Sequence, residues 1–338
     1  FLSLGLTRRF KMLKVGIWGL GLIAKAHVAA YMVLKENYPI KLVAACDTDD
    51  RAFAEIALAN NAIDINKYND IDEMLKSESL DIIDICLPTS LHVEAALKML
   101  QNGYHVLLEK PMGLSSAESL KLLNASQKTD KVFMVGQCLR FYPEYQYLKR
   151  IIEEKQYGQV LTAYFERLSM TPKRRGENWL LNYEKSGGCL FDVHIHDVDM
   201  VRYLFGEPKA VSAQANHVLS RYDSVNTRFI YDDKQVVALA DWTLKPSFGF
   251  KPMFRVSFEQ ATVIYDNYSL RVYKEKEFFT PTIEKGKGIE KEIEYFIELI
   301  TKGRENTENR PEDSFKTIEL LECIRSSADE NGKLVLWV

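Results

Sequence analysis

The stretch Lys14-Val15-Gly16-Ile17-Trp18-Gly19-Leu20-Gly21-Leu22-Ile23-Ala24 decides the fold of this 338-residue chain. Its first five residues are typical of a β-strand, and the remainder is a GxGxxA turn that opens a helix. Gly19 permits the tight turn, Gly21 lets the backbone approach a pyrophosphate, and Ala24 permits close packing of helix on strand. We expect a dinucleotide at this helix N-terminus, with Leu22 and Ile23 among its contacts.

Working outward, short β-branched runs alternate with stretches of helical period as far as residue 135. This alternation predicts a doubly wound parallel sheet with helices on both faces, a Rossmann domain over residues 12–135. The predicted strands are Lys14–Trp18, Lys41–Cys46, Ile82–Cys86, His105–Leu108 and Val132–Val135.

The pattern changes in the second half, residues 136–338, where apolar and polar residues alternate with the period of a strand. Leu161, Ala163 and Phe165 follow this pattern, and so do residues 211–215 and 236–242. We expect an α+β domain for substrate binding and oligomerisation, with a mostly antiparallel open sheet covered by helices on one face. One strong helix is expected at about 190–205, and a C-terminal helix at about 311–330 would pack back on the first domain.

The cofactor is predicted to be NAD, with NADP less favoured. The second strand ends at Asp47-Thr48, where a carboxylate would accept the ribose hydroxyls and repel a 2′-phosphate. The next loop on the same sheet edge, Leu87-Pro88-Thr89 with His92, is expected to pack against the nicotinamide ribose. The alternatives are that Asp47 caps a helix and that the loop merely begins one.

The tripeptide Glu109-Lys110-Pro111 ends the next strand, also at the carboxyl edge where open α/β sheets bind ligands. Further on, Asp192 and His196 stand four apart in a predicted helix and so share a face. We predict that His196 takes a hydroxyl proton, that Asp192 orients it, and that Lys110 holds the substrate oxygen. The alternative is a surface or capping pair.

A metal site is the weaker hypothesis for the same helix, and none is predicted. His194, Asp197 and Asp199 are possible ligands, but His194 and His196 are two apart and face away from each other.

Composition favours a small-molecule partner. The net charge of -3 is dispersed and indicates neither nucleic acid nor a membrane surface as partner. Five widely spaced cysteines without a CxxC pair suit a reducing cytoplasm. Arg8 and Arg9 follow the apolar N-terminus instead of preceding it, so we expect a disordered extension before Met12 and no signal peptide.

In this order, the glycine turn, Asp47, Glu109-Lys110-Pro111 and the segment 192–199 resemble the glucose–fructose oxidoreductase / inositol dehydrogenase / rhizopine-catabolism (Gfo/Idh/MocA) family. The similarity covers roughly residues 14–336. It implies a Rossmann domain, a homodimer or homotetramer formed through the C-terminal sheet, and NAD(P)-dependent chemistry on a sugar, inositol or related polyol. The family's catalytic lysine falls on Lys110, and the acid and histidine of its inositol dehydrogenase branch fall on Asp192 and His196. Many members have glycine where His194 stands.

Three further residues are candidate substrate contacts. Gln137 and Arg140 belong to a polar and aromatic cluster after the last Rossmann strand, and Trp179 would stack on a sugar face. Ordinary interdomain packing is the alternative for each.

The sequence therefore favours an NAD-dependent dehydrogenase of a sugar or polyol. A nucleotide-binding sensor without turnover is the rival from another class, because fold does not dictate function. A dihydrodiol or keto-sugar oxidoreductase with the same residues is a nearer alternative.

Overall fold

The computed structural model describes residues 11–59, 64–173 and 178–337. The predicted extension before Met12 lies outside these ranges, apart from Lys11. None of the helices within them combines the length and apolar character needed to cross a membrane.

The first sheet has six described strands, all parallel, in the order β3-β2-β1-β4-β5-β6. The strands are β1 (Leu13–Trp18), β2 (Ile40–Cys46), β3 (Asn66–Tyr68), β4 (Ile82–Ile85), β5 (His105–Glu109) and β6 (Phe133–Gly136). This confirms the predicted Rossmann topology. The short strand β3 is an addition, because its Asn-Lys-Tyr sequence carries no β-branched residue for a pattern to detect.

Five helices connect these strands: α1 (Leu22–Leu34), α2 (Asp50–Ala59), α3 (Ile71–Ser77), α4 (His92–Gln101) and α5 (Ser116–Ser126). Helices α1 and α2 pack on one face of the sheet, whereas α3, α4 and α5 pack on the other. Ser115 caps α5 by accepting the backbone N–H of Glu118.

The second sheet has nine described strands in the order β14-β13-β12-β11-β7-β10-β9-β8-β15. They are β7 (Val160–Met170), β8 (Ala210–Asn216), β9 (Ser224–Ile230), β10 (Gln235–Leu244), β11 (Phe250–Phe258), β12 (Thr262–Asp266), β13 (Ser269–Tyr273), β14 (Phe278–Phe279) and β15 (Val335–Leu336). Every neighbouring pair is antiparallel except β10 with β7. The predicted sheet type is therefore confirmed.

Helices cover one face of this sheet, as expected. They include α6 (Pro143–Glu153), α8 (Ile195–Phe205) and α10 (Pro311–Asp329), and the described part also contains α7 (Tyr183–Ser186) and α9 (Gly288–Lys302). A π-helical turn, Leu190–His194, leads directly into α8. On the covered face, Val236, Ala238 and Trp242 of β10 are buried, while the alternate residues of the strand are partly exposed.

The described second half of the chain contains two long helices beyond those predicted at about 190–205 and 311–330. Neither α6 nor α9 was predicted, although Ile293, Phe296 and Ile297 of α9 have helical spacing. These side chains share the apolar core of α1 on the Rossmann sheet. The domain boundary at residue 135 stays a prediction. Strand β6 continues one residue past it, to Gly136, and the C-terminal helix α10 contacts α5 of the first domain.

Candidate active site

The glycine turn brings the ends of β1 and β4 into close contact. Gly19 has a φ of +94°, and a Cβ atom there would lie 2.6 Å from the carbonyl oxygen of Cys86. A side chain would therefore strain the backbone and collide with the neighbouring strand. This position requires glycine.

The N-terminus of α1 fits a pyrophosphate. The helix follows Gly21 directly, and within the described part of the chain no side chain caps it and nothing lies within 4 Å of a Cβ placed at Gly21. The first backbone N–H groups of α1 thus lack a side-chain acceptor, and they border a cavity lined by Leu20, Gly21 and Leu22. Such an end attracts an anion.

Asp47, the predicted ribose-binding residue, lines the same cavity. Its two carboxylate oxygens accept the backbone N–H groups of Leu20 at 2.6 Å and Asp49 at 2.8 Å. The cavity wall beside it also includes Thr48, Asp49 and Asp70. This rim is acidic.

His92 does not line the cavity together with Leu87, Pro88 and Thr89, the residues with which it was predicted to contact the nicotinamide ribose. Leu87, Pro88 and Thr89 line the cavity, but His92 is buried outside its lining. Its ring nitrogens lie 2.7 Å from the carbonyl oxygen of Pro111 and 2.8 Å from that of Leu87. His92 therefore links two loops of the site instead of facing a ligand.

Lys110 bridges the two halves of the chain. Its Nζ donates to Asp192 Oδ1 at 2.8 Å and to the Asp192 carbonyl oxygen at 2.6 Å. The two side chains retain 14% and 24% of their exposure, and both line the cavity. A third ammonium proton remains to be donated.

His196 lines the same cavity and is partly exposed there. Burial, and then the positive charges of Lys110 and Arg167, hold its pKa well below the usual value. The imidazole is thus neutral at ordinary pH and can accept a proton. Its Nδ1 has no hydrogen-bond partner among the described residues.

The predicted Asp192–His196 pairing is replaced by the Lys110–Asp192 pairing. No hydrogen bond joins Asp192 to His196 within the described chain. Asp192 is instead taken by Lys110, a residue 82 positions earlier in the chain, and the spacing of 192 and 196 along the helix gives no sign of that contact.

The possible metal ligands of this segment are each held by another group. His194 Nε2 lies 2.8 Å from Thr227 Oγ1, and Asp197 binds Arg167 at 2.8 Å. Asp199 binds Arg140 at 2.7 and 2.8 Å. In the structure these three side chains therefore join neighbouring elements through hydrogen bonds and ion pairs.

Of the three further candidate substrate contacts, Gln137, Arg140 and Trp179, the last lines the cavity. Arg140 and Gln137 are each 2% exposed and lie outside the lining. The buried ion pair with Asp199 explains the position of Arg140, and sequence could not reveal it because the partner is 59 residues away.

Several residues of the cavity lining were not predicted from the sequence, namely Glu144, Trp242, Tyr265 and Lys287. Glu144 is notable because its Oε2 is buried without a hydrogen-bond partner among the described residues. Its place in the first turn of α6 was the available signal, but α6 was not predicted. The cavity has a volume of about 1770 Å³. That exceeds the roughly 300–1,000 Å³ of a typical ligand pocket and leaves room for a dinucleotide beside a second molecule.

Two family models match the chain. One, described as an oxidoreductase family with an NAD-binding Rossmann fold, matches residues 13–137. The other, described as the GFO/IDH/MocA C-terminal domain, matches residues 145–264. Together they span more than half of the sequence.

Curated relatives and a solved structure agree with these models. The chain is 28% identical over 202 residues to 2,7-anhydro-N-acetylneuraminate hydratase of Escherichia coli K12, covering 60% of the chain and 52% of that protein. It spans about half the length of the first four curated relatives that it matches. Inositol 2-dehydrogenase of Rhizobium meliloti is 26% identical over 309 residues, covering 86% of the chain and 90% of that protein. Levoglucosan dehydrogenase, solved with NADH and L-sorbose, superposes with a TM-score of 0.83 at 22% identity, covering 97% of the chain and 100% of that structure.

Proposed function

This chain belongs to the GFO/IDH/MocA oxidoreductase family, and we propose that it is an NAD-dependent dehydrogenase acting on a secondary hydroxyl of a sugar, inositol or related polyol, or on the corresponding ketone. The observation that carries the proposal is that a single cavity adjoins both an anion-attracting helix N-terminus and three ionisable side chains. The uncapped helix N-terminus lies along it, and Lys110, Asp192 and His196 line it as well. The dehydrogenase names of several relatives support the reaction class.

In this proposal the protein groups manage the substrate oxygen and its proton. Lys110 donates the remaining ammonium hydrogen to that oxygen, which stabilises negative charge as it develops. Neutral His196 accepts the hydroxyl proton, while Asp192 holds Lys110 in place. NAD, when bound, supplies the hydride acceptor.

NAD is proposed over NADP because of the charge beside Asp47. Asp70 also borders that part of the cavity, whereas Asp49 is neutralised by Arg51, so a 2′-phosphate would be repelled by the Asp47 and Asp70 carboxylates. The free donor groups at α1 and the open space at Gly21 suit either cofactor.

The direct test is a screen for NADH absorbance with inositols, aldoses, anhydro-sugars and sugar acids, alongside calorimetric measurement of NAD binding. We expect turnover with at least one neutral polyol. Tight NAD binding with no substrate turned over would favour the nucleotide-binding sensor. Because one relative is named a hydratase, product analysis by mass spectrometry should accompany the screen. Conversion without net NADH would then contradict a simple dehydrogenase.

We also propose a homodimer or homotetramer formed through the uncovered face of the second sheet. Tyr164, Val237, Leu239, Met253 and Ile264 alternate with buried residues and are partly exposed there. A second copy would bury these apolar groups.

The five free cysteines support a cytoplasmic location, since none forms a disulfide within the described residues.

A further inference from the structure

A buried histidine lies directly behind the proposed active site. His27 of α1 is fully buried, with Nδ1 2.8 Å from Asp84 Oδ2 and Nε2 3.0 Å from Glu109 Oε1. Asp84 lies on β4 and Glu109 ends β5. The imidazole therefore joins two neighbouring strands of the Rossmann sheet through one helix.

The hydrogen count of this cluster favours a charged imidazole. A neutral ring has a single N–H and can satisfy only one of two carboxylates, whereas an imidazolium donates to both. Burial opposes that charge, but the carboxylate of Asp84 outweighs it, so that the His27 pKa lies well above its usual value. Two charge-assisted hydrogen bonds then fix both carboxylates.

Glu109 connects His27 to the backbone of the next residue, Lys110. Its Oε2 accepts the backbone N–H of Lys110 at 3.1 Å, while Oε1 faces His27. On the other side lies Gly136, where a Cβ atom would come within 3.2 Å of Oε1. The Glu109 carboxylate is thus confined between an imidazole, a glycine and the Lys110 backbone.

We propose that His27 is a positioning residue that holds Glu109, and through it the Lys110 backbone, so that the Lys110 ammonium reaches both Asp192 and the substrate oxygen. The expected effect of His27 on kcat rests on the proposed function. The contacts from His27 through Glu109 to the Lys110 backbone do not depend on it. Positioning groups of this kind have large effects because small displacements of a reacting group slow chemistry strongly.

Other ionisable groups surround the cluster. Tyr31 faces it from α1, Cys86 from the residue after β4, and Glu292 from α9. Burial, and then the charge of Glu109, raises the pKa of Glu292 well above its usual value, so this carboxyl is neutral at ordinary pH. Neither of its oxygens has a hydrogen-bond partner among the described residues.

The same cluster contains the donor types of a metal site. One ligand atom each from His27, Asp84 and Cys86 falls within 4.8 Å of the others. Positioning is favoured because both His27 nitrogens already lie at hydrogen-bond distance from carboxylates. Burial also raises the pKa of the Cys86 thiol to about 12, which keeps it protonated.

The experiment compares His27→Gln with Val28→Ala, a matched change in the buried core of the same helix. We expect His27→Gln to lower kcat about 10- to 100-fold, with the dissociation constant for NAD within about threefold of the parent and the substrate KM little changed. Val28→Ala should lose thermal stability but keep kcat. Equal kcat in the parent and His27→Gln would overturn the proposal.

A double-mutant cycle shows whether His27 acts through Lys110. In a Lys110→Ala background, adding His27→Gln should lower kcat no further, because the group being positioned is gone. Losses that multiply would contradict the coupling. One equivalent of metal in the purified protein, lost in His27→Gln and Cys86→Ala, would assign the cluster to metal binding instead.

A readout without turnover separates this inference from the proposed function. Amide hydrogen exchange of the peptide containing Lys110 should be faster in His27→Gln than in the parent, and unchanged in Val28→Ala. If no polyol is turned over but this difference appears, the proposed reaction fails and the positioning remains. Unchanged exchange would reject the positioning.

Discussion

At the scale of single residues, the Lys110 ammonium is the centre of the proposed chemistry. Asp192 takes two of its hydrogens, one through the side chain and one through the backbone carbonyl. The third is left for a substrate oxygen. Burial, and then the charge of Lys110, lowers the pKa of His196, so the residue that stabilises the oxygen also favours the neutral form of the base.

Removing either group should affect turnover more than cofactor binding. We expect Lys110→Ala and His196→Asn to lower kcat by about 10²-fold or more, with NAD affinity nearly unchanged. Steady-state kinetics and calorimetry measure the two quantities. Lys121→Ala, an exposed lysine on α5, is the control and should behave as the parent. Parent-like kcat in both site variants would remove the proposed mechanism.

Asp47 should govern the choice of cofactor. Asp47→Asn keeps an acceptor for the Leu20 N–H but removes the charge that would repel a 2′-phosphate. We expect the ratio of kcat/KM for NAD over NADP to fall about tenfold, which corresponds to about 1.4 kcal/mol. Asp130→Asn, on an exposed loop, is the matched control. An unchanged ratio would show that other groups set the preference.

His194 should make stability depend on pH. It is buried beside Thr227, and burial, followed by the charge of Arg167, lowers its pKa to about 3. The unfolded chain binds a proton at this residue near pH 6.5, so the folded state loses stability as pH falls from 6.5 towards 3. Urea unfolding at several pH values should show a shallower loss in His194→Gln than in the parent. Parallel curves would exclude His194 as the source.

At the scale of elements, α9 ties the C-terminal part of the chain to the nucleotide-binding helix. Its Ile293, Phe296 and Ile297 are fully buried in the core that also contains Val28 and Tyr31 of α1. The orientation of the α1 N-terminus therefore depends on a segment more than 250 residues away in sequence.

Truncating this contact should destabilise the protein. We expect Phe296→Ala to lower the free energy of unfolding by about 3–5 kcal/mol, the usual cost of emptying a buried phenylalanine site. Chemical denaturation measures the loss. Phe278→Ala, in a side chain that is 66% exposed on β14, should change stability little. Similar losses in the two variants would contradict the packing role of α9.

At the scale of the whole molecule, the second sheet leaves one face free of helices. Cross-strand neighbours on that face mix apolar and charged groups, with Val237 opposite Tyr164 and Leu239 opposite Glu166. The partly exposed Tyr164, Val237 and Leu239 are the groups that a second copy of the chain would bury there.

A charge placed in this face should separate the subunits. We expect the parent protein to have a solution mass that is a multiple of 38.9 kDa, and Leu239→Asp to shift it towards 38.9 kDa in light scattering. Leu58→Asp, on a side chain that is 85% exposed on α2, is the control and should leave the mass unchanged. A monomeric parent would end the proposal.

The sequence by itself determined the Rossmann fold, the glycine turn and the type of the second sheet. These features depend on rules that act between near neighbours, such as the backbone freedom of Gly19 and the periods of strands and helices. For the same reason it placed Lys110 at the carboxyl edge of the sheet. It overlooked α6 and α9 and therefore missed Glu144.

Only the tertiary structure decided which groups meet. Lys110 and Asp192 are 82 residues apart, as are His27 and Glu109, and Arg140 finds its acid 59 residues away. The helical repeat suggested that Asp192 would pair with His196, but in the structure its carboxylate and carbonyl oxygens accept from Lys110. Contacts across such separations depend on how whole elements pack, and no local pattern of residues encodes that packing.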